Sequence, residues 1–477
     1  VLVCTSGSAA INYGPALAEA QFINKPLIAL TADRPKTALA QWESQTINQQ
    51  GLFQNFVDAF FEIEDGQPFP DSLSAVELAN CCNIGPVHIN YHLSEPLYAM
   101  EEVTQPDELP KLSLAPETTS SAAPIPLGNT LILLGYLHST EVEKINQILV
   151  ENPGHNAVIL SENTNAFSSG TIASIDLALT TAEAQLNSYT VDTVVTFGRI
   201  LISRKIKTWL KAKTVQNHMH FHAEDEHFDP FGAATVTTNC QDFTGWFKRY
   251  LTNTQPSEFK SIWDTAYASG LASLTHFKPN SNGLTDFEVF RNLNSQSDFN
   301  GNIHVANSSA IRYFQLFQWG GKKIHCNRGV SGIDGTNSTA WGNAFLDSNS
   351  QNWLVTGDIS FHYDSNFAWN SFRPANFKII LINNGGGGIF RFIPGPDTTQ
   401  QLASHFEFNH QRTAENWAKE FGFTYYPVSH IEDFETSFKQ LANKDDFGIV
   451  EVFTQGDVNG DVLRTFFKEL KGLLPAN

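Results

Sequence analysis

Short runs of consecutive apolar residues recur along the chain, separated by stretches in which apolar positions return every three or four residues. VLVCTS opens the sequence as a strand-like run, a helical stretch follows through Pro15 to Gln21, and PLIALTAD (26–33) and GPVHINY (85–91) continue the pattern. Strands covered by helices on both faces read as unbroken apolar runs, so this alternation predicts a parallel sheet. The same rhythm resumes at TLILLGY, NAVILSE, DTVVTFG and the alternating TVQNHMHFHAED. It starts a third time near Asn282, with TDFEVFRNL, NIHVAN, KKIHCN, NWLVTGD, FKIILINN and FGIVEVF.

Two segments break the rhythm. LPKLSLAPETTSSAAPIP (109–126) is rich in Pro, Ser and Thr, has no apolar period and reads as a linker. SEFKSIWDTAYASGLASL (257–274) reads as a helical connector. The expected organisation is an α/β protein of three domains, each a parallel sheet flanked by helices, over 1–108, 127–255 and 281–477. A length of 477 residues agrees with that number at about 150 residues per domain.

Composition narrows the function classes. A net charge of −19 argues against nucleic acid or an anionic membrane as partner, since both are polyanions. For an anionic small molecule, a few local arginines or lysines must overcome that background. Cys4, Cys81, Cys82, Cys240 and Cys326 contain no CxxC spacing, there is no signal-peptide pattern, and no apolar run reaches the ~18 residues of a membrane span. A reduced, cytoplasmic setting is expected.

The most informative stretch runs from Gly357 to Asn384. One apolar strand ends in Gly-Asp, SFHYDSNFAWNSF (360–372) is expected to form a helix across the sheet, and a second strand ends in Asn-Asn. In a right-handed βαβ unit both C-terminal strand ends lie on one sheet edge, so Asp358 and Asn384 are expected to meet. A carboxylate and an amide oxygen are hard donors suited to Mg²⁺, which shares its other positions with water and phosphate. Gly385 to Gly388 let the backbone turn tightly and turn a carbonyl toward the metal.

This pairing resembles the thiamine diphosphate motif, which implies Asp358, Asn384 and the carbonyl of Gly386 as ligands of Mg²⁺ (or Mn²⁺), with Ser360 near the diphosphate. Ile359 stands where the motif usually has Gly. LTADRP (30–35), NSSAIR (307–312), CNRGVSGIDGT (326–336) and INNGGGGIFRFIP (382–394) are similar to one family within that group, the menaquinone-pathway 2-succinyl-5-enolpyruvyl-6-hydroxy-3-cyclohexene-1-carboxylate synthases. TSGSAA and GPVHINYHLSEPLY agree, and the resemblance spans almost the whole chain.

The resemblance implies decarboxylation of 2-oxoglutarate and addition of the succinyl carbanion equivalent to isochorismate. It implies substrate-carboxylate contacts at Arg34, Ser308, Arg312 and Arg328, with Gln45 beside them. Ile333 is implied as the apolar support under the bent cofactor, and Ile389 and Phe390 as a wall excluding water. A homodimer or homotetramer is implied, because in this superfamily the cofactor lies between two chains. The departures are Ser44 for Asn, Arg204 and Lys205 for a Lys-led basic pair, and Gly385 for a third Asn. The family's activating Glu lies upstream of TSG, so the sequence, which opens just before TSG, is expected to be truncated and impaired in turnover. Two alternatives stay open: another thiamine diphosphate carboligase or decarboxylase of the acetohydroxyacid synthase kind, and a noncatalytic cofactor-binding module.

His218, His220 and His222 alternate along one predicted strand face and His227 follows, yet no Cys or spaced carboxylate completes a tetrahedral zinc set. They are read as strand histidines with local partners. The middle unit lacks a full GxGxxG and is expected to be structural rather than a dinucleotide site.

Overall fold

A computed structural model describes residues 1–39, 41, 43–66, 85–94, 123–165, 167–199, 201–221, 229–232, 234–374, 376–392, 395–443 and 447–474. Most of the expected linker, together with Cys81, Cys82, His222, His227, the end of GPVHINYHLSEPLY and the last two residues of INNGGGGIFRFIP, lies outside the described residues. The strands form three sheets, in every one of which all neighbours run parallel. The α/β class read from the apolar rhythm is therefore the observed one. The sheets fall into two compact units, Val1–Thr119 with Asn327–Gly335, and Ser120–Cys326 with Thr336–Asn477.

In the first unit β1 (Leu2–Cys4), β2 (Leu27–Asp33), β3 (Ala59–Glu64) and β4 (Pro86–His92) lie in the order β1-β2-β4-β3. The predicted helix runs Gly14–Phe22, with Pro15 in its first turn, where a missing N–H costs no hydrogen bond. Leu17, Ala29, Phe53 and Val57 form one apolar cluster and Ile63, Val87 and Ile89 another.

The second unit holds two sheets. The first is ordered β6-β5-β7-β8-β9, from β5 (Thr130–Leu134), β6 (Val158–Ser161), β7 (Val191–Phe197), β8 (Val215–Phe221) and β9 (Ala234–Cys240). The second is ordered β11-β10-β12-β13-β15-β14, from β10 (Asn302–Val305), β11 (Lys323–His325), β12 (Asn352–Gly357), β13 (Phe377–Asn383), β14 (Thr424–Val428) and β15 (Gly448–Phe453). The expected connector is the helix Glu258–His276, started by the Ser257 hydroxyl, which accepts from the Lys260 N–H at 3.1 Å. It packs so closely on the helix Ile175–Leu186 that a Cβ at Gly270 would lie 2.7 Å from Leu177 Cγ. Leu177 and Ile202 share one apolar cluster with Phe287, Phe314 and Phe466.

In doubly wound sheets, ligands sit outside the carboxyl ends of the strands where the strand order reverses. In the β5 sheet that point lies between β5 and β7, and there the chain bridges itself: the Arg199 N–H donates to the Tyr136 carbonyl at 3.1 Å and the Tyr136 N–H returns a bond to Arg199. The Asn165 amide adds bonds to the carbonyls of Leu134 and Gly135 at 3.3 and 2.7 Å. In the β10 sheet the reversal falls between β10 and β12, which is where Ser308 and Asp358 follow their strands. Among the described residues no helix is long and apolar enough to cross a membrane.

Candidate functional site

β12 and β13 pair directly, with Gly357 opposite Ile382, so Asp358 and Asn384 leave the sheet at nearly the same level. The Asp358 carboxylate is buried; Oδ1 accepts from the Ile359 N–H at 2.7 Å and Oδ2 from the Gly386 N–H at 2.9 Å. The expected meeting of the two strand ends is thus made through the glycine loop. The helix between them is shorter than 360–372. It runs Asp358–Tyr363, and a 3-10 turn, Ser365–Ala368, follows. The break falls at Asp364, whose carboxylate accepts from the N–H and hydroxyl of Ser338, at 2.8 and 2.6 Å, in the first turn of the helix Thr336–Leu346. Aspartate's short side chain favours such capping bonds over a place inside a helix.

Two of the loop glycines are required by geometry. Gly385 has φ +78°, the left-handed region, and a Cβ at Gly386 would lie 2.6 Å from the Glu407 carbonyl. That carbonyl accepts from the Gly387 N–H at 2.5 Å, and the His410 N–H donates to the Gly385 carbonyl at 3.0 Å, so residues 407–410 hold the loop from outside. The Glu407 carboxylate is in turn paired with Arg391, whose Nη2 donates at 2.9 Å. The Gly386 carbonyl accepts from the Gly388 N–H at 3.0 Å and keeps a second lone pair.

Asn384 carries the decisive observation. Its Nδ2 donates to Asp286 Oδ2 at 3.2 Å, while its Oδ1 is buried and has no hydrogen-bond partner among the described residues. A buried acceptor left unpaired costs about 1–3 kcal/mol unless a ligand satisfies it. Burial, and to a lesser degree the negative charge of Asp358, push the Asp286 carboxyl up to about 6 against hydrogen bonds from Thr454 and Asn384. The Asp358 carboxylate beside the Asn384 amide oxygen, with Asp286 behind it, suits a divalent cation. Among the described residues no three His, Cys, Asp or Glu side chains are grouped to hold a metal. The donors here are one carboxylate, one amide and one carbonyl, a set suited to a hard cation completed by phosphate oxygens. Ser360 is buried in the first turn after Asp358, and Ile389 is buried in the 3-10 turn Gly388–Arg391 with Phe390 beside it.

Ser308 and Arg312 follow β10, the neighbour of β12. Ser308 holds φ +69°, a strained conformation for a residue with a Cβ, immediately before the helix Ser309–Phe314. Arg312 lines a cavity of about 990 Å³ together with Arg204, Lys205 and Asp176. Lys205 donates to Thr180 Oγ1 at 2.9 Å and lies 3.8 Å from the centroid of the Phe467 ring; burial lowers its pKa, opposed by the charge of Asp176. Asp176 is itself pushed up by burial and pulled down by Ser203, Lys205 and Arg312. The cavity is an acidic protein's local cationic field.

The first unit carries the other expected contacts. Arg34 Nη2 donates to Gln45 Oε1 at 3.2 Å, and Gln45 holds φ +60°. A buried polar chain runs beneath them. The Gly7 N–H donates to Gln49, Gln49 to Asn90, and Asn90 to Asp33, each at 2.8 Å; the Arg34 carbonyl lies 2.7 Å from His92 Nδ1. Arg328 and Ile333 lie half-buried in Asn327–Gly335, whose Gly329 and Val330 N–H groups donate to the Glu19 carboxylate at 2.7 and 2.8 Å.

No family model matches the chain. Curated proteins do. The 2-succinyl-5-enolpyruvyl-6-hydroxy-3-cyclohexene-1-carboxylate synthase of Flavobacterium johnsoniae is 35% identical over 490 residues, covering 98% of this chain and 87% of that protein. Enzymes of the same name from Flavobacterium psychrophilum and Porphyromonas gingivalis are 33% and 32% identical, covering 98% and 99% of this chain and 87% and 86% of theirs. The chain belongs to the 2-succinyl-5-enolpyruvyl-6-hydroxy-3-cyclohexene-1-carboxylate synthase family.

As a member of this synthase family the chain is an enzyme, and several of the groups that shape its site escape a reading of the sequence. Asp286 reads only as the start of a helix, inside the capping box of Thr285 and Glu288. Glu407 and Glu19 carry no local signal, because their partners are distant in sequence. Asp176 sits outside every motif, and Ser203, directly before the basic pair Arg204 and Lys205, carries no signal of its own. The alternating histidines have a local explanation, since His218 Nε2 and His220 Nδ1 both lie within 2.9 Å of Thr196 Oγ1, at 2.9 and 2.8 Å.

Proposed function

We propose that this synthase is thiamine diphosphate and Mg²⁺ (or Mn²⁺) dependent and joins decarboxylated 2-oxoglutarate to isochorismate, a step of menaquinone biosynthesis. The observation that carries the reading is Asn384 Oδ1, buried and without a hydrogen-bond partner among the described residues, on the strand end next to that of Asp358. Asp358, Asn384 Oδ1 and the Gly386 carbonyl would hold the cation, with Ser360 near the diphosphate. Thiamine diphosphate, when bound, supplies the electron sink for decarboxylation.

The remaining roles belong to the chain's own side chains. Arg312 meets a substrate carboxylate in the cavity it shares with Arg204 and Lys205, where a guanidinium can donate two parallel hydrogen bonds to it. Arg34, Gln45, Ser308 and Arg328 are further substrate contacts, and Ile333 is the apolar support for the cofactor. Ile389 and Phe390 exclude water; Phe390 is backed by the Phe406 ring at 5.5 Å. A homodimer or homotetramer fits an apolar surface on which the Phe345 and Phe372 rings, 5.3 Å apart, stay exposed together with Leu346 and Trp369. The free thiols of Cys4, Cys240 and Cys326 suit a cytoplasmic setting.

The test is turnover by the full-length protein. With 2-oxoglutarate, isochorismate, thiamine diphosphate and Mg²⁺, CO₂ and the coupled product are expected, and neither after chelation and cofactor removal. Equal turnover without the cofactor would refute the reading. Arg312→Ala is expected to lower kcat/KM by about 10- to 150-fold, the equivalent of one charged hydrogen-bonding contact, with an unchanged circular dichroism spectrum. Unchanged kinetics would remove Arg312 from the site.

A further inference from the structure

We infer that Asp286 is a positioning residue that orients Asn384, holding its amide nitrogen inward so that its amide oxygen faces the cation position. The inference rests on the cation reading above and deepens it. The geometry is one-sided. The Asn384 NH₂ donates to Asp286 Oδ2 at 3.2 Å, which turns the amide oxygen to the other side. Turning the amide over would set two oxygens against each other at that distance inside a buried site. Oδ1 is then left on the opposite side, buried and without a hydrogen-bond partner among the described residues.

Asp286 is itself fixed on every side. Thr454 Oγ1 donates to its Oδ1 at 2.5 Å, and its own N–H donates to Asn459 Oδ1 at 2.9 Å. Asn459 Nδ2 reaches back to Thr454 Oγ1 at 3.4 Å, while the Thr454 N–H donates to the Asn383 carbonyl at 3.0 Å. The Asn384 backbone is held as well: a Cβ at Gly456 would come within 2.3 Å of the Asn384 carbonyl oxygen. The polar cluster thus ties the end of β13 to the residues after β15 and to the start of the helix Asp286–Ser295. A purely structural account would make Asp286 a favourable charge in the first turn of that helix. It does not explain why the carboxylate holds the amide of a strand-end Asn whose buried oxygen makes no hydrogen bond among the described residues.

Outer groups that orient metal ligands typically change metal affinity by about 10- to 100-fold when removed. The experiment titrates Mn²⁺ into full-length protein with thiamine diphosphate present and reads bound Mn²⁺ by electron paramagnetic resonance, without turnover. Asp286→Ala is expected to weaken Mn²⁺ binding by that factor. Asp286→Asn, which keeps an acceptor oxygen toward Asn384, is expected to stay within about threefold of the parent. Asp286→Ser, too short to reach the amide, takes the place of the alanine variant if that does not fold. Unaltered Mn²⁺ affinity in the alanine or serine variant, even with a lowered melting temperature, would overturn the inference. Equal loss in the asparagine variant would also overturn it, because charge and not orientation would then be what matters. Failure of the parent protein to bind Mn²⁺ with the cofactor would instead sink the cation reading itself.

Discussion

Glu19 offers a direct way to ask whether the loop carrying Arg328 and Ile333 is held in place by a single carboxylate. Its two oxygens accept from the N–H groups of Gly329 and Val330, at 2.7 and 2.8 Å, across a sequence separation of 310 and 311 residues. Each bond to a charged acceptor is worth about 1.5–3 kcal/mol when shielded. Val330 is exposed, so water replaces part of that on opening, and roughly 2 kcal/mol is a fair value for the pair. Glu19→Ala should therefore raise the open population of the loop about 30-fold, since 1.4 kcal/mol corresponds to a factor of ten. Hydrogen exchange at the Gly329 and Val330 amides reads that population, with a matching loss of protection expected at those two positions and little change in the β2–β4 strands. Glu19→Gln keeps a neutral acceptor and should lose about half as much free energy. Exchange at Gly329 and Val330 that is equal in the alanine variant and the parent would show that the loop is held by something else.

Gln49→Leu is expected to destabilise the protein by about 3–5 kcal/mol, because it strips partners from the Gly7 N–H, the Ala32 carbonyl and the Asn90 side chain at a fully buried position. Urea unfolding with a loss below about 1 kcal/mol would contradict the account of the polar chain. His88 is buried with its pKa pushed down to about 4 by desolvation, so it folds neutral and the unfolded chain binds more protons between pH 6.5 and 4. Its contribution is complete above pH 6.5 and is lost as the pH falls toward 4, a decline of at most about 3 kcal/mol; a His88 resonance titrating near 6.5 in the folded protein would rule this out.

The strands were legible because both faces of each sheet are covered, which turns a buried strand into an unbroken apolar run. NWLVTG and FKIILIN illustrate this, with nearly every position buried. Asp358 and Asn384 were legible for a related reason, since parallel neighbours share an edge and the residues that end their runs must meet there. The helix between them was misjudged because its apolar spacing continues through Asp364, and nothing in the local sequence reveals that Ser338 offers that carboxylate two donors. The outer groups were hidden more thoroughly. Asp286 lies 98 residues from Asn384, and its surroundings, Thr-Asp-Phe-Glu, already have a sufficient local role as a helix start. A side chain whose partner is distant in sequence leaves no periodicity and no spacing to read.

The charge distribution bears on how an acidic chain could take anionic ligands. With a net charge of −19, the mean field repels both a diphosphate and a dicarboxylate. Basic side chains answer that locally in the cavity of Arg312, Arg204 and Lys205, where a carboxylate can be gripped directly. At the ends of β12 and β13 the opposite arrangement is found: Asp358 and Asp286 lie together in a buried place, and burial and the charge of Asp358 disfavour ionisation of Asp286. Such a site is unfavourable empty and favourable around a divalent cation, whose charge then faces any phosphate that completes its shell. Under the proposed function the two solutions divide the work, arginine and lysine for the carboxylates and a cation for the diphosphate. The two buried acids thus serve anion binding under the proposed function, Asp358 as the charged ligand of the cation and Asp286 as the group that orients Asn384 toward it.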